Sequence, residues 1–505
     1  MKRGEIVLTI VGALFLALSA WAIRRTELPR KDSTITAGDC HMPVTILERP
    51  KKPQGTALIF HGLSADRRIM KPLGDYLAVD ANLRVYLFDL AGHGDNTDTF
   101  SFARADACAR MTVESLIQSG EIDPKRTILV GHSMGGAIAI RTADRAPVAG
   151  TIALSPAPMP LPQRMPANLL VFSAQFDLPI LKRAAQTLAQ AAGGERTKTD
   201  DFIQARAFHL EVTPFSDHVS LLDDPRVLRQ VSDWIDSTLG TSSYGRDNRL
   251  ASLVYANAAP IVGLLGIFSA FPLCATIAAK IAGPISTVSS AAGPAAKLVF
   301  AEGAVCALAT VLVLAAFVPL AFLHLYTGDY LASLLLIAGV LLLALNWKAA
   351  KQSLRIDGRA LFVSAALGLA VMLGIGAWLN WQTADLWLNA PRWLRFAALL
   401  PVMWIFCFAE EVILGPIGTG WRRAGRFALC LTLRAELWLA CLLTYYMLAS
   451  GQVLILILVA SLALFSVLQR LAADALRLRT GSPAAVALFG AILAAWFIAA
   501  VFPLT

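Results

Sequence analysis

Residues 127–137, TILVGHSMGGA, decide the fold of this chain. An apolar, β-prone run leads into Gly131-His132-Ser133-Met134-Gly135, and a helix-compatible segment starts at Gly136. The pattern is G-x-S-x-G between a strand and a helix, where small neighbours allow a turn tight enough to expose the serine Oγ above a sheet. The pattern alone is common by chance, but its strand–turn–helix setting is not. We therefore predict that Ser133 is a nucleophile in an α/β fold.

The sequence on either side of this turn, residues 32–248, alternates short β-rich runs with amphipathic helical stretches. Such alternation predicts a mostly parallel sheet with helices on both faces. The predicted strands are Thr56–Phe60, Val85–Asp89, Thr127–Val130, Thr151–Leu154, Leu169–Ser173 and Phe208–Val212, with a further strand-like run at Val44–Glu48. The predicted helices cover about 65–79, 105–119, 134–145, 179–192 and 225–239.

A serine nucleophile on such a turn needs an acid at the end of a later strand. Asp177 meets this condition, because it ends the run LLVFSAQFD at 169–177 and a predicted helix follows. Two other carboxylates compete with it. Asp201 lies in a polar loop and Glu211 lies inside a strand. Asp177 is the predicted acid.

The base should lie in a loop after the final strand. His218 does so, in the segment PFSDH at 214–218, whereas His209 lies within the strand itself. His93 belongs to an early turn and His132 to the nucleophile turn. In the predicted arrangement Asp177 orients the His218 imidazole, and His218 takes the proton of the serine hydroxyl.

Stabilisation of an oxyanion needs two backbone N–H groups aimed at the developing charge. Met134 follows the nucleophile directly and supplies one of them. Leu63 is predicted to supply the other, because an earlier strand ends at Ile59-Phe60-His61-Gly62 and turns sharply at the glycine. His61 itself is interpreted as a structural residue that braces this loop.

Together, these features make residues 55–240 resemble the α/β-hydrolase fold, near its serine aminopeptidase/lysophospholipase-like branch. The likeness is carried by FHGLSADRR at 60–68, FDLAGHGDN at 88–96, GHSMGG at 131–136 and SDHVSL at 216–221. The resemblance implies esterase, lipase or peptidase chemistry through an acyl-enzyme, and it leaves the substrate open. Ser173 departs from the pattern, because many relatives have glycine at that position before the acid.

The segment where many relatives insert a lid is short in this chain. Pro156–Asn168 joins two predicted strands and contains five prolines, at 156, 158, 160, 162 and 166. Proline lacks a backbone N–H and blocks helix propagation, so this linker cannot form a helical cap. We expect no sizeable lid, and a site that is open or covered by a membrane domain.

The composition excludes a wholly soluble enzyme. Apolar residues make up 56% of the 505 positions and charged residues 16%, against about 45–50% and about 25% in soluble domains.

Ile6–Ile23 is an uncharged run that suits a spanning anchor, favoured here, or a signal sequence cleaved near Ala20-Trp21-Ala22. Further spans are predicted near 257–279, 300–323, 330–347, 360–380, 396–414, 427–449, 452–469 and 483–503. The predicted domains are an anchor or signal-like segment (1–31), a hydrolase domain (32–248) and an all-α multi-pass transmembrane domain (249–505) whose partner is the lipid bilayer.

Lysine and arginine are distributed unequally among the loops between these spans. Twelve of them fall in alternate loops on one side, and the opposite loops hold only Arg392 and Arg395. Because cytoplasmic loops carry the excess of positive charge, this asymmetry predicts a cell-membrane protein whose hydrolase domain is extracytoplasmic. Lys2 and Arg3 agree with that orientation, whereas the basic residues at 24–31 conflict with it. Positive charge of this kind indicates membrane loops and no nucleic-acid partner.

The predicted membrane domain contains two adjacent carboxylates, Glu410 and Glu411, in FCFAEEVILG at 406–415. Buried carboxylates in a membrane are by default functional. The segment faintly resembles the EExxxR segment of CAAX-type intramembrane proteases, but Gly415 occupies the arginine position and residues 253–505 contain a single histidine. We favour pairing of one glutamate with Arg434, or a place at the cytoplasmic interface.

The cysteines give no metal or redox spacing, and no cofactor or metal is predicted. Five of the seven cysteines fall in apolar helices, where they act as small apolar residues. Cys40 and Cys108 could form a disulfide outside the cytoplasm, but two free thiols are favoured.

The sequence as a whole predicts a membrane-anchored serine hydrolase that cleaves an ester, or less readily a peptide. The ester would be a small molecule or a lipid. An acyltransferase remains an alternative, because an alcohol can intercept the same acyl-enzyme. A transporter or scaffold that uses the hydrolase domain as a binding module is a third option. The natural substrate and the oligomeric state stay open.

Overall fold

A computed structural model of the chain describes residues 3–193, 201–241, 249–283, 294–418, 420–448 and 453–505. The chain divides into two compact units. The α/β unit comprises Ser19–Pro260, Leu379–Asp385 and Pro503–Thr505, and the helical unit comprises Met1–Leu18, Ile261–Trp378 and Leu386–Phe502.

The α/β unit is built on one eight-stranded sheet in the order β1-β2-β4-β3-β5-β6-β7-β8. The strands β4-β3-β5-β6-β7-β8 run parallel, and β1 and β2 are antiparallel additions at one edge. The predicted mostly parallel sheet is therefore confirmed. The strands are β1 (Arg30–Ala37), β2 (Cys40–Leu47), β3 (Gly55–Phe60), β4 (Leu83–Phe88), β5 (Thr127–His132), β6 (Gly150–Leu154), β7 (Leu169–Ala174) and β8 (Phe208–Thr213).

Helices cover both faces of this sheet. After α1 (Arg3–Thr26), the helices of the α/β unit are α2 (Lys71–Val79), α3 (Phe102–Gln118), α4 (Met134–Arg145), α5 (Pro179–Ala191) and α6 (Pro225–Leu239). Successive strand residues point to opposite faces. In β7, Leu170 and Phe172 join the core under α2 and α6, whereas Leu169 and Val171 join the core under α5.

Two local predictions differ from the structure. β1 was not predicted, because its sequence RKDSTITA lies mostly exposed at the sheet edge and lacks apolar alternation. The helix expected at 65–79 begins only at Lys71, after a turn in which Arg68 N donates to Asp66 Oδ1 at 2.7 Å. Pro72 occupies the first turn of α2, a position that needs no N–H donor.

A disulfide joins Cys40 at the start of β2 to Cys108 in α3. The two Cα atoms lie 5.4 Å apart, within the range that a bridge requires. The prediction that Cys40 and Cys108 are two free thiols is therefore wrong. The packing of α3 against β1 and β2 brings the two cysteines together.

Among the described residues, nine helices are long and apolar enough to cross a membrane, which is compatible with a multi-pass membrane protein. α1 is the first of them. The later helices are α7 (Arg249–Ile281), α8 (Ala296–Ala316), α9 (Gly328–Leu345), the short α10 (Trp347–Ser353), α11 (Gly358–Gln382), α12 (Ala390–Leu414), α13 (Trp421–Leu448), α14 (Val453–Thr480) and α15 (Pro483–Val501). Within the helical unit Glu410 pairs with Arg434 at 2.6 Å, one of the two arrangements that the sequence left open.

Two distant segments complete the α/β unit. In Leu379–Asp385, the Asp385 carboxylate pairs with Arg68 at 2.6 Å and the Asp385 N–H donates to Asp66 Oδ2 at 2.6 Å. In Pro503–Thr505, Leu504 N donates to Gly92 O at 3.1 Å and Leu504 O accepts from Phe100 N at 2.6 Å. Both segments therefore contact loops that follow the carboxyl ends of β3 and β4.

Candidate active site

Ser133 occupies a strained turn between β5 and α4, with φ 54° and ψ −116°. Gly131 and Gly135 have to be glycines, because a side chain at either position would clash with neighbouring backbone atoms. A Cβ on Gly135 would lie 2.2 Å from Phe60 O, and a Cβ on Gly131 would lie 2.0 Å from Gly135 O. Strained residues of this kind persist only where surrounding contacts hold them, and here Ser133 N donates to Leu154 O at 2.8 Å. The tight turn predicted between a strand and a helix at Ser133 is thus present, and the role of Ser133 as a nucleophile stays a prediction.

Asp177 and His218 are brought together from the loops after β7 and β8. His218 Nδ1 lies 2.8 Å from Asp177 Oδ1, and both residues are buried. The second carboxylate oxygen, Oδ2, accepts from the Ser155 hydroxyl and, at 3.2 Å, from Ala174 N. Burial opposes ionisation of Asp177, but His218, Ser155 and the Ala174 N–H together hold the pKa of its carboxyl below the ordinary value.

The Ser133 turn and the His218 loop are joined through His132. The His132 Nε2–H donates to the His218 carbonyl oxygen at 2.8 Å, and the two imidazole rings lie 4.6 Å apart. Burial, followed by the charge of His218, lowers the pKa of His132 to about 3, so His132 is neutral.

The loop that carries Leu63 lies against Ser133. A Cβ on the neighbouring Gly62 would lie 3.2 Å from Ser133 Cβ. Met134 is the first residue of α4, and first-turn N–H groups have no partner within their own helix. Both backbone donors proposed for the oxyanion therefore belong to segments that border Ser133.

His61 braces this loop from behind. Its Nε2 accepts from Leu90 N at 3.0 Å, and its Nδ1–H donates to Gly62 O at 2.7 Å. Burial lowers the pKa of His61, so the ring is neutral and both contacts persist. The structural role predicted for His61 agrees with these contacts.

The other candidates from the sequence are engaged elsewhere. His209 bonds to Glu211 at 3.0 Å along β8. Asp201 pairs with Arg206 at 2.7 Å. His93 Nδ1–H donates to Ala91 O at 2.8 Å. Ser155 is a residue that sequence reasoning missed; its position at the end of a strand beside the nucleophile strand was the available signal.

A cavity of about 210 Å³ lies between the linker after β6 and α5. Residues 155–168, all of them described, contain no helix or strand. The cavity lining is mainly apolar and includes Ala157, Met159, Leu161 and Ile180. Ala157 N donates to Ser133 O at 2.9 Å, so one residue of the cavity lining is bonded to the backbone of Ser133.

The family model described as the alpha/beta hydrolase family matches residues 57–491. The chain belongs to this family. As an alpha/beta hydrolase it has the fold that the nucleophile turn, the parallel sheet and the Asp177–His218 pair indicate. No curated protein matches it in sequence. Among the described residues of this hydrolase, no group of three or more His, Cys, Asp or Glu side chains is suited to a metal ion.

Several solved hydrolase structures are similar to the chain. A predicted CIB-like hydrolase from Thermoplasma acidophilum is 17% identical, with 41% of this chain and 99% of that chain covered and a TM-score of 0.34. A Pyrobaculum calidifontis esterase is 14% identical, with 48% and 95% covered and a TM-score of 0.35. An α/β serine hydrolase without lid from Xanthomonas campestris is 16% identical, with 42% and 95% covered and a TM-score of 0.34.

Proposed function

We propose that this hydrolase is a membrane-anchored serine hydrolase that cleaves an ester on the extracytoplasmic side. The observation that carries the proposal is the 2.8 Å hydrogen bond between His218 Nδ1 and Asp177 Oδ1, held beside the Ser133 turn by His132. A binding module has no need of this arrangement, because a positioned imidazole and a strained serine serve proton transfer and nucleophilic attack.

In the proposed reaction Ser133 Oγ attacks the ester carbonyl carbon, and His218 Nε2 takes the hydroxyl proton. The Leu63 and Met134 N–H groups donate to the oxyanion that forms. As the tetrahedral intermediate collapses, the C–O bond to the alcohol breaks and His218 returns the proton to the leaving alkoxide. Water then repeats the sequence on the acyl-enzyme, and the acid and free Ser133 are released. Asp177 stabilises the charged imidazole in both halves.

An ester with an apolar acyl part fits the site better than a peptide. The cavity between α5 and the linker that contains Ala157 has a mainly apolar lining. Two aromatic side chains near the proposed acid and base in sequence are exposed. Phe176, directly before Asp177, is 63% exposed, and Phe215, three residues before His218, is 83% exposed. Exposed apolar surface near a site commonly marks an apolar ligand.

The proposed topology is supported by the three separate chain segments that make up the α/β unit. Within the described residues, four candidate spans separate Ser19–Pro260 from Leu379–Asp385, and four more separate Leu379–Asp385 from Pro503–Thr505. An even number of crossings returns the chain to the same side of a membrane, so all three segments can share one compartment. The basic loops fall on the other side, which is the cytoplasmic side by the charge rule.

A fluorophosphonate probe tests the proposal on the full-length protein in detergent. The probe should label one serine, and peptide mapping should find it at Ser133. Ser133→Ala should abolish labelling, and Ser237→Ala, which changes an exposed serine of α6, should leave it unchanged. A folded protein that takes no label would contradict a serine hydrolase.

A further inference from the structure

The helical unit contains a buried group of charges that the proposed reaction does not use. It comprises Arg426, Arg470, Arg477, Glu411 and Asp474, and is called here the arginine cluster. All five side chains are buried. Glu411 lies three residues before the end of α12, and Arg477 lies three residues before the end of α14. At a rise of about 1.5 Å per residue, the cluster reaches within about one turn of the helix ends.

Both carboxylates of the arginine cluster are already paired with two of its arginines. Glu411 Oε1 lies 2.7 Å from Arg470 Nη1, and Glu411 Oε2 lies 2.9 Å from Arg426 Nη2. Asp474 Oδ1 lies 2.5 Å from Arg426 Nη1 and 2.6 Å from Arg470 Nη2. Arg426 and Arg470 therefore hold both carboxylates.

Arg477 is left with a long contact. Its Nε lies 3.7 Å from Glu411 Oε2, too far for a hydrogen bond. The neighbouring Glu410 cannot compensate it, because Glu410 is paired with Arg434 at 2.6 Å and 2.8 Å. Three guanidinium groups thus face two carboxylates in the arginine cluster, which leaves one positive charge unbalanced.

Two guanidinium atoms of the arginine cluster also lack partners. Arg477 Nη1 and Arg470 Nε are buried, and neither has a hydrogen-bond partner within the described residues. Arg477 is 4% exposed and Arg470 is 1% exposed. A buried charge without a partner is costly, and unused N–H donors beside an excess positive charge suit an anion.

We propose that the arginine cluster binds an oxyanion of the phosphate class, with Arg477 as its main ligand. Guanidinium groups bind phosphate oxygens through paired N–H donors. Arg422 and Arg423 are exposed in the first turn of α13, where the helix N-terminus adds positive potential that attracts such an ion. The oxyanion is either the headgroup phosphate of an anionic lipid, which basic pockets between membrane helices bind, or a free phosphate, which offers the same oxygens.

Melting of the full-length protein in an uncharged detergent tests the proposal. Inorganic phosphate is titrated in one arm, and micelles doped with phosphatidylglycerol or with phosphatidylcholine are used in the other. The wild type should be stabilised by phosphate, by phosphatidylglycerol or by both. Stabilisation by phosphate assigns a free oxyanion, and stabilisation by phosphatidylglycerol alone assigns a lipid headgroup. Arg477→Gln should weaken the apparent affinity by about tenfold or more.

Arg479→Gln is the matched control, because Arg479 lies on the same helix and pairs with Glu5 at 2.6 Å. It should keep the full anion response even if its baseline melting temperature falls. Without an anion Arg477→Gln should melt no lower than the wild type, because it removes the unbalanced charge. Should Arg477→Gln fail to fold, Arg477→Lys takes its place as the test variant, and we expect the anion to raise its melting temperature less than that of the wild type. Equal responses of the wild type and the Arg477 variant to both probes would overturn the site.

Discussion

At the scale of single residues, the three groups of the proposed triad contribute unequally. Ser133 and His218 act as one unit, whereas Asp177 orients and stabilises the imidazole. We expect Ser133→Ala or His218→Ala to lower kcat for a p-nitrophenyl ester by about 10⁶-fold and Asp177→Asn by about 10⁴-fold. His209→Ala is the control and should retain wild-type turnover. Turnover that survives in His218→Ala would contradict His218 as the base and would favour His209 instead.

Ser155 is expected to act as a positioning residue for Asp177. Its hydroxyl donates to Asp177 Oδ2, so it restrains the carboxylate that holds His218. Ser155→Ala should lower kcat by about tenfold with little change in KM, because the hydroxyl contacts the acid and not the substrate. Ser216→Ala removes a comparable hydroxyl that bonds Asp224 at 2.8 Å, and it should leave kcat unchanged. An effect of Ser155→Ala on KM alone would contradict a positioning role.

The same variant has a pH signature. The pKa of Asp177 is below its ordinary value of 3.8, so its ionised form stabilises the fold above pH 3.8, and this stability is lost as pH falls through the folded pKa. Without the Ser155 hydroxyl that pKa rises toward the ordinary value. The loss of melting temperature on acidification should therefore be smaller in Ser155→Ala than in the wild type, and it should end at a higher pH. Superimposable acid melting curves would mean that Ser155 does not lower the pKa of Asp177.

At the scale of elements, the disulfide ties α3 to the antiparallel edge of the sheet. It closes a loop with a sequence separation of 68, for which chain entropy predicts a stabilisation of about 4 kcal/mol. Cys40→Ser with Cys108→Ser should lower the free energy of unfolding by up to this amount, measured in guanidinium titrations. Cys274→Ser, at an exposed free cysteine, is the control. Alkylation of both Cys40 and Cys108 in unreduced protein would show that the bridge is absent.

At the scale of the whole molecule, the proposed topology predicts the sides of two reporters. A reporter fused after Leu239 should be extracytoplasmic, and a reporter between Gln352 and Ile356 should be cytoplasmic. The reasons are the bias of lysine and arginine among the loops and the even number of candidate spans between the segments of the α/β unit. A third reporter, after Thr505, should match the first. Reporters after Leu239 and Gln352 on the same side would mean that the span count is wrong by an odd number.

The sequence by itself determined the parts of this protein that depend on neighbouring residues. The nucleophile turn, the alternating strands and the apolar runs are local patterns, because side-chain periodicity and glycine spacing act over a few positions. The sequence thus predicted the parallel sheet and nine candidate spans. It also named Ser133, Asp177 and His218 as candidates, since each follows a recognisable strand.

Only the tertiary structure decided contacts between residues that are far apart along the chain. The edge strand β1 forms because β2 offers it a partner, and its own sequence carries little signal. The Cys40–Cys108 bridge depends on the packing of α3, and the Ser155–Asp177 bond depends on the neighbouring positions of β6 and β7. The excess positive charge of the arginine cluster arises only in the folded chain, where the end of α12, the start of α13 and the end of α14 meet. Such contacts depend on distance in space, and no local pattern encodes that distance.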